Sequence, residues 1–207
     1  MDVPDLPFRL PLVAILRGIG PDDVVAHVEA LVDAGYDAIE IPTNSPDWRR
    51  SLALAATAFG DRARIGAGTV LEPAQVDALL EAGGTLAVTP DARPPVIARA
   101  VARGVPLIAG FATPTEALAA IAAGAPMLKL FPAAVFGPGM VRALRAVLPP
   151  VPLFAVGGIT PDDLPAWRAA GCQGAGIGGE LYRAGQPVAR TREQARRFRD
   201  AWMGASA

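Results

Sequence analysis

The chain has 207 residues, 52% hydrophobic and 19% charged, the composition of a globular protein with a sizeable core. Its formal charge of −1 carries no basic excess, which excludes nucleic acid and anionic membranes as main partners. Cys172 is the single cysteine and cannot pair internally, no stretch approaches the roughly 20 apolar residues of a membrane helix, and MDVPDLPFRL lacks the basic start of a signal peptide, so a cytoplasmic protein is expected.

Eight short apolar runs punctuate the sequence, beginning 26, 26, 22, 21, 20, 26 and 22 residues apart. The first, Leu12–Leu16, ends in Arg17-Gly18; GPDD at 20–23 then starts a helix whose Val24, Val28, Leu31 and Val32 share one face and which stops at Gly35. The second, Ala38–Ile41, contains Glu40 and leads to Pro42 and Asn44, with a helix end at Gly60. The third, Arg64–Ala67, closes in Gly68-Thr69 before EPAQ at 72–75 starts a helix that stops at Gly83. The fourth, Leu86–Thr89, precedes Pro90 and a helix end at Gly104. The fifth, Leu107–Gly110, precedes Phe111 and TPTE at 113–116, with a stop at Gly124. The sixth, Met127–Phe131, holds Lys129. The seventh, Leu153–Val156, runs into Gly157-Gly158 and TPDD at 160–163, with a stop at Gly171; the eighth, Ala175–Ile177, runs into Gly178-Gly179 and another short helical segment.

Each run is too short for a helix and too continuous for a strand with one wet face, which fits parallel strands covered on both sides. The intervening segments carry proline at or near the first helical turn, threonine at N-cap positions 113 and 160, and glycines suited to the left-handed position after a helix. Eight such β-α units predict a compact (β/α)8 barrel, an α/β TIM barrel formed by residues 1–207 as one domain. An open doubly wound sheet is the alternative, but the first strand lacks GxGxxG and eight evenly spaced units do not favour it.

In such a barrel the chemistry lies at the C-terminal ends of the strands. Lys129 is the only lysine beside 18 arginines, and it sits among Met127, Leu128, Leu130 and Phe131. Arginine cannot replace a nucleophilic amine, so a chain that uses arginine almost everywhere has kept lysine where an amine is needed. Glu40 and Lys129 are the two ionisable groups inside strand runs, and by strand parity both can point into the barrel. A structural ion pair is the competing reading, disfavoured because buried pairs are poor stabilisers. An amine in an apolar pocket is free near neutral pH and forms an iminium with a ketone; a carboxyl beside it moves protons. These are the parts of a class I aldolase, which needs no metal and no cofactor. The sequence offers no metal-ligand cluster, and the single histidine, His27, reads as structural. Backbone amides at Gly157, Gly158, Gly178 and Gly179 fit a phosphate group, and Arg17 can clamp a carboxylate.

The motifs EIPTNSP (40–46), GAGTVL (66–71), VTP (88–90), LKLFPA (128–133), FAVGGIT (154–160) and GAGIGGELYRAGQ (174–186) resemble those of the KDPG/KDPGal aldolases, from about Leu12 to about Ala201. The resemblance implies Lys129 as Schiff-base nucleophile and Glu40 as general acid/base. Arg17 and Thr69 would hold the pyruvyl end, and Gly157, Gly158, Gly178 and Gly179 the phosphate. Arg17 on the first strand with Asn44 after the second is the galactonate-type arrangement, implying cleavage of 2-dehydro-3-deoxy-6-phosphogalactonate to pyruvate and glyceraldehyde 3-phosphate by a homotrimer. Gly179 departs from the serine that relatives often carry, and Glu180 follows it. Three alternatives stand beside this expectation: a gluconate-series or dual-epimer aldolase, a metal-dependent phosphate-binding barrel, and a non-catalytic sugar-phosphate sensor.

Overall fold

The computed structural model describes residues 4–204. Eight parallel strands close into a barrel in chain order: β1 (Leu12–Ile15), β2 (Ala38–Pro42), β3 (Arg64–Gly68), β4 (Leu86–Val88), β5 (Leu107–Phe111), β6 (Met127–Leu130), β7 (Leu153–Val156) and β8 (Gly174–Ile177), with β8 pairing back onto β1. Helices α1 (Val24–Asp33), α2 (Trp48–Phe59), α3 (Pro73–Glu81), α4 (Pro94–Ala102), α5 (Pro114–Ala122), α6 (Ala133–Arg145), α7 (Leu164–Ala169) and α8 (Val188–Met203) alternate with them. Every strand end lies within one residue of the apolar run predicted for it. This is the (β/α)8 barrel that the spacing predicts. No helix among the described residues is long and apolar enough to cross a membrane.

Two apolar layers explain the unbroken runs. Outward-facing residues such as Ile39, Ile41, Ala67, Leu128 and Leu130 pack with Val28, Leu31, Leu52, Val76 and Leu79 of the helices. Inward-facing Val13, Ile15, Ala38, Leu86, Val88, Ile108, Met127, Phe154 and Val156 fill the barrel, with Phe8 joining them. Each such buried side chain contributes on the order of 1.5–3 kcal/mol. Phe154 needs room for its ring: a Cβ on Gly174 would lie 2.2 Å from its Cε1, so the glycine on β8 makes the filling of the barrel possible.

Local signals act as expected at most helix ends. Thr113 caps α5 by accepting from the Glu116 amide at 3.3 Å, while the Glu116 carboxylate accepts from the Thr113 amide at 2.8 Å. Gly35, Gly83, Gly104, Gly124 and Gly171 take positive φ after their helices. Gly60 does not: its φ is −64°, because Arg62 and Ala63 donate to the Phe59 carbonyl and continue a right-handed turn towards β3. The helical segment expected after Gly178-Gly179 is also absent. Leu181 and Tyr182 donate to the Gly178 carbonyl in a single turn, and Gly185 at φ 79° and Pro187 postpone the helix to α8.

Candidate active site

The catalytic candidates converge at the C-terminal mouth. Glu40 is central in β2, paired with Ile15 of β1 and Gly66 of β3, and Lys129 in β6 pairs with Gly110 of β5 and Phe154 of β7. Both side chains point inward and line one cavity whose walls are Val13, Ile15, Val88, Ile108, Phe154 and Val156. Their relative exposure is 1% for Glu40 and 5% for Lys129, so both are removed from bulk water. They do not approach as an ion pair within 4.0 Å, and Glu40 Oε2 has no hydrogen-bond partner among the described residues. A pair built for stability would be in contact and fully bonded.

The electrostatics follow from that burial. Removal from water raises the Glu40 carboxyl above its ordinary 4.5, with Lys129 and then Arg17 opposing the rise. Burial likewise lowers the Lys129 amine below its ordinary 10.5; Glu40 pulls it back up and Arg17 pushes it down. The Lys129 Nζ stands 5.3 Å from the centre of the Phe131 ring, a further apolar wall. Lys129 is therefore drawn towards the free amine that attack requires, and Glu40 towards a proton affinity at which its carboxyl can both accept a proton and give one back.

Arg17, Asn44 and Thr69 come together from the ends of β1, β2 and β3. Arg17 Nη1 donates to Asn44 Oδ1 at 2.7 Å, and Nη2 donates to Thr69 Oγ1 at 3.3 Å. The guanidinium is thus pre-oriented at an exposed mouth by two neutral acceptors rather than neutralised by a carboxylate. Thr69 holds φ at 55°, a rare conformation for a β-branched residue, and Thr43 Oγ1 donates to its carbonyl at 2.6 Å. Strain of this kind persists where surrounding structure holds it, and here it turns the Thr69 hydroxyl towards Arg17.

The four glycines divide into two pairs. Gly157 and Gly158 follow β7 with φ of 98° and 72°, and a Cβ on Gly158 would lie 2.6 Å from Ala134 Cβ, so both conformation and packing demand glycine at 158. Thr160 and Asp163 close the turn beyond them, Asp163 Oδ2 accepting from the Thr160 amide at 3.0 Å and hydroxyl at 2.7 Å. Gly178 and Gly179 follow β8 on the adjacent rim.

One essential position is invisible in the residue pattern. A Cβ on Gly68 would fall 1.7 Å from Glu40 Oε2 and 2.1 Å from its Cδ, so the Glu40 carboxyl lies directly over the Gly68 backbone. Gly110, paired in register with Lys129, is crowded by backbone instead: a Cβ there would meet the Pro90 carbonyl at 2.3 Å. His27 is buried on α1 and its Nδ1 is 2.8 Å from Thr191 Oγ1, a structural contact with α8. Among the described residues no three His, Cys, Asp or Glu side chains cluster as metal ligands. A larger open cleft of about 1120 Å³, lined by Arg9, Tyr36, Asp37, Arg62 and Arg64, lies at the N-terminal ends of the strands, away from this chemistry.

An enclosed amine with a carboxyl beside it at the strand ends is the equipment of an aldolase, and known proteins give the same class. The chain belongs to the KDPG and KHG aldolase family, whose model matches residues 8–190. It is 55% identical over 198 residues to the 2-dehydro-3-deoxy-6-phosphogalactonate aldolase of Escherichia coli (strain K12), covering 95% of this chain and 97% of that one. A solved structure described as native KDPGal is similar with a TM-score of 0.95 at 53% identity, covering 99% of this chain and 98% of that chain. A cube-shaped, porous protein cage designed by fusing symmetric oligomeric domains matches at TM-score 0.94 and 55% identity, over 95% of this chain and 73% of that chain.

Proposed function

We propose that this chain, acting as one (β/α)8 unit, is a class I aldolase that cleaves 2-dehydro-3-deoxy-6-phosphogalactonate to pyruvate and glyceraldehyde 3-phosphate. The observation that carries the reading is the shared burial of Lys129 and Glu40 in one apolar cavity without an ion-pair contact. Lys129 adds to the C2 ketone, and loss of water gives an iminium. Glu40 takes the C4 hydroxyl proton, the C3–C4 bond breaks into the iminium, and glyceraldehyde 3-phosphate leaves. Proton return to C3 of the enamine and hydrolysis release pyruvate and regenerate the amine. The iminium is the electron sink, so the scheme runs without a metal or cofactor.

Arg17 fits the carboxylate of the pyruvyl end, with Thr69 beside it, and Gly157, Gly158, Gly178 and Gly179 offer backbone to the phosphate. Asn44 supports the galactonate preference, because with Arg17, whose Nη1 donates to it, it makes up the galactonate-type arrangement that the motifs resemble. A homotrimer in the cytoplasm completes the reading; the similarity to a chain used in a cage of symmetric oligomeric domains supports self-association. Cleavage of the galactonate and gluconate C4 epimers, measured in parallel with EDTA present and pyruvate detected through a reductase, tests the assignment. Faster turnover of the galactonate epimer is expected. Equal or reversed rates would remove the specificity, and failure with both epimers would remove the aldolase.

A further inference from the structure

Gly178 and Gly179 pose a question that the protein's own geometry does not answer. Neither has a positive φ. A Cβ on Gly178 would meet nothing closer than Ile15 Cβ at 4.0 Å, and one on Gly179 would meet nothing within 4 Å. Neither conformation nor crowding therefore requires glycine here, in contrast to Gly158. Bare backbone beside open space at the C-terminal mouth is suited to a ligand lying against the chain itself. The Gly178 carbonyl accepts from Leu181 at 2.8 Å and from Tyr182 at 2.9 Å, which leaves the amides of Gly179 and Glu180 at the head of the turn with no partner among the described residues.

Arg183 folds back over this turn. Its Nε donates to the Gly179 carbonyl at 2.9 Å, and its Nη2 is 3.3 Å from Glu180 Oε1. The two side chains are 63% and 50% exposed, so their pairing is weak and easily exchanged. A guanidinium binds a phosphate dianion through two parallel N–H bonds, a stronger arrangement than its single contact with Glu180. A free Glu180 carboxylate on this turn would instead repel the dianion.

We propose that Arg183 is a binding residue for the phosphate end of the substrate, held beside Gly179 by Glu180 and taken over by the phosphate as it docks on the bare backbone. The proposal rests on the aldolase reading above and deepens it: a side-chain cation joins the backbone of Gly178 and Gly179 at the phosphate end. Glu180 then serves as a placeholder that keeps the guanidinium from swinging into solvent.

Steady-state kinetics on the 6-phosphorylated sugar acid and its non-phosphorylated counterpart test this, with wild type, Arg183→Ala and Arg183→Lys. Arg183→Ala should raise KM for the phosphorylated substrate at least tenfold, far more than it lowers kcat, and Arg183→Lys should recover part of the loss. KM for the non-phosphorylated substrate should move less than twofold. A twofold or smaller change in Arg183→Ala, or equal changes with both substrates, would overturn the proposal and mark Arg183 as a loop brace. If wild type cleaves neither substrate, the aldolase reading fails separately. Phosphorus NMR titration with millimolar inorganic phosphate then decides on Arg183: binding lost in Arg183→Ala supports it, while equal binding or none by wild type refutes it.

Discussion

Replacing Gly68 by alanine places a methyl where the Glu40 carboxyl now lies. The added Cβ would stand 1.7 Å from Oε2, 2.1 Å from Cδ and 2.3 Å from Oε1, whereas real Cβ contacts essentially never fall under 3.0 Å. Glu40 must therefore retreat by more than 1 Å, or β3 must move away from it. The Gly68 carbonyl accepts from Thr43 at 2.8 Å and Gly68 pairs with Pro42, which anchors β3 and directs most of the adjustment into the Glu40 side chain. A displacement of about 1 Å in a reacting group can cost on the order of 10²-fold in rate. Overpacking of this size costs about 1–3 kcal/mol of stability, a fall of a few degrees in Tm. We therefore expect Gly68→Ala to stay folded by circular dichroism and to lose roughly 100-fold in kcat/KM, an order-of-magnitude figure that follows the displacement. Pyruvate release in a reductase-coupled assay gives the rate, and a thermal melt the stability. Activity within threefold of wild type would refute the placement of the Glu40 carboxyl over Gly68.

Lys129→Arg should abolish cleavage while leaving the thermal melt cooperative, because guanidinium cannot form the iminium; retained activity within tenfold of wild type would contradict the nucleophile. Amine attack needs unprotonated Lys129, and burial lowers its pKa below 10.5, so kcat/KM should rise with pH through a midpoint below that value; an acid limb centred at or above 10.5 would contradict the burial argument. Glu40 has a raised native pKa, so the native state holds its proton longer than the unfolded chain, and its contribution to stability is lost as pH climbs from about 4.5 through the raised value. Glu40→Gln removes that loss: at pH 8 it should melt at or above wild type and cleave poorly, and a lower Tm at pH 8 would count against it. Arg17→Lys should raise KM for pyruvate-containing ligands by an order of magnitude or so, since lysine cannot keep both the Asn44 and Thr69 bonds; an unchanged KM would show that the fork is not used.

What the sequence reveals about this protein is what periodicity encodes. Strands buried on both faces give apolar runs, and strand parity alone turns Glu40 and Lys129 inward together. Prolines and glycines mark most helix ends because proline fixes φ and glycine readily takes the positive φ that ends a helix, and Gly60 escapes that reading because the turn continued onto Phe59 keeps its φ negative. The rest depends on three-dimensional approach. Gly68 is legible only once the Glu40 carboxyl is known to lie over it, and the Arg17–Asn44–Thr69 fork joins residues from three strands. The positive φ of Thr69 opposes its local preference and is imposed by its neighbours. After β8, the glycine pair suggests a helix start, but the turn at 178–182 unwinds before Pro187 can begin one.

Borohydride reduction in the presence of pyruvate, followed by mass spectrometry of the digested protein, traps the covalent iminium proposed for the Lys129 amine. Lys129 is the only lysine, so the N-terminus is the single other amine that can react. One reduced pyruvate adduct per chain is expected, located at Lys129, with loss of activity in proportion to labelling. Labelling confined to the N-terminus, or none while wild-type cleavage proceeds, would contradict it.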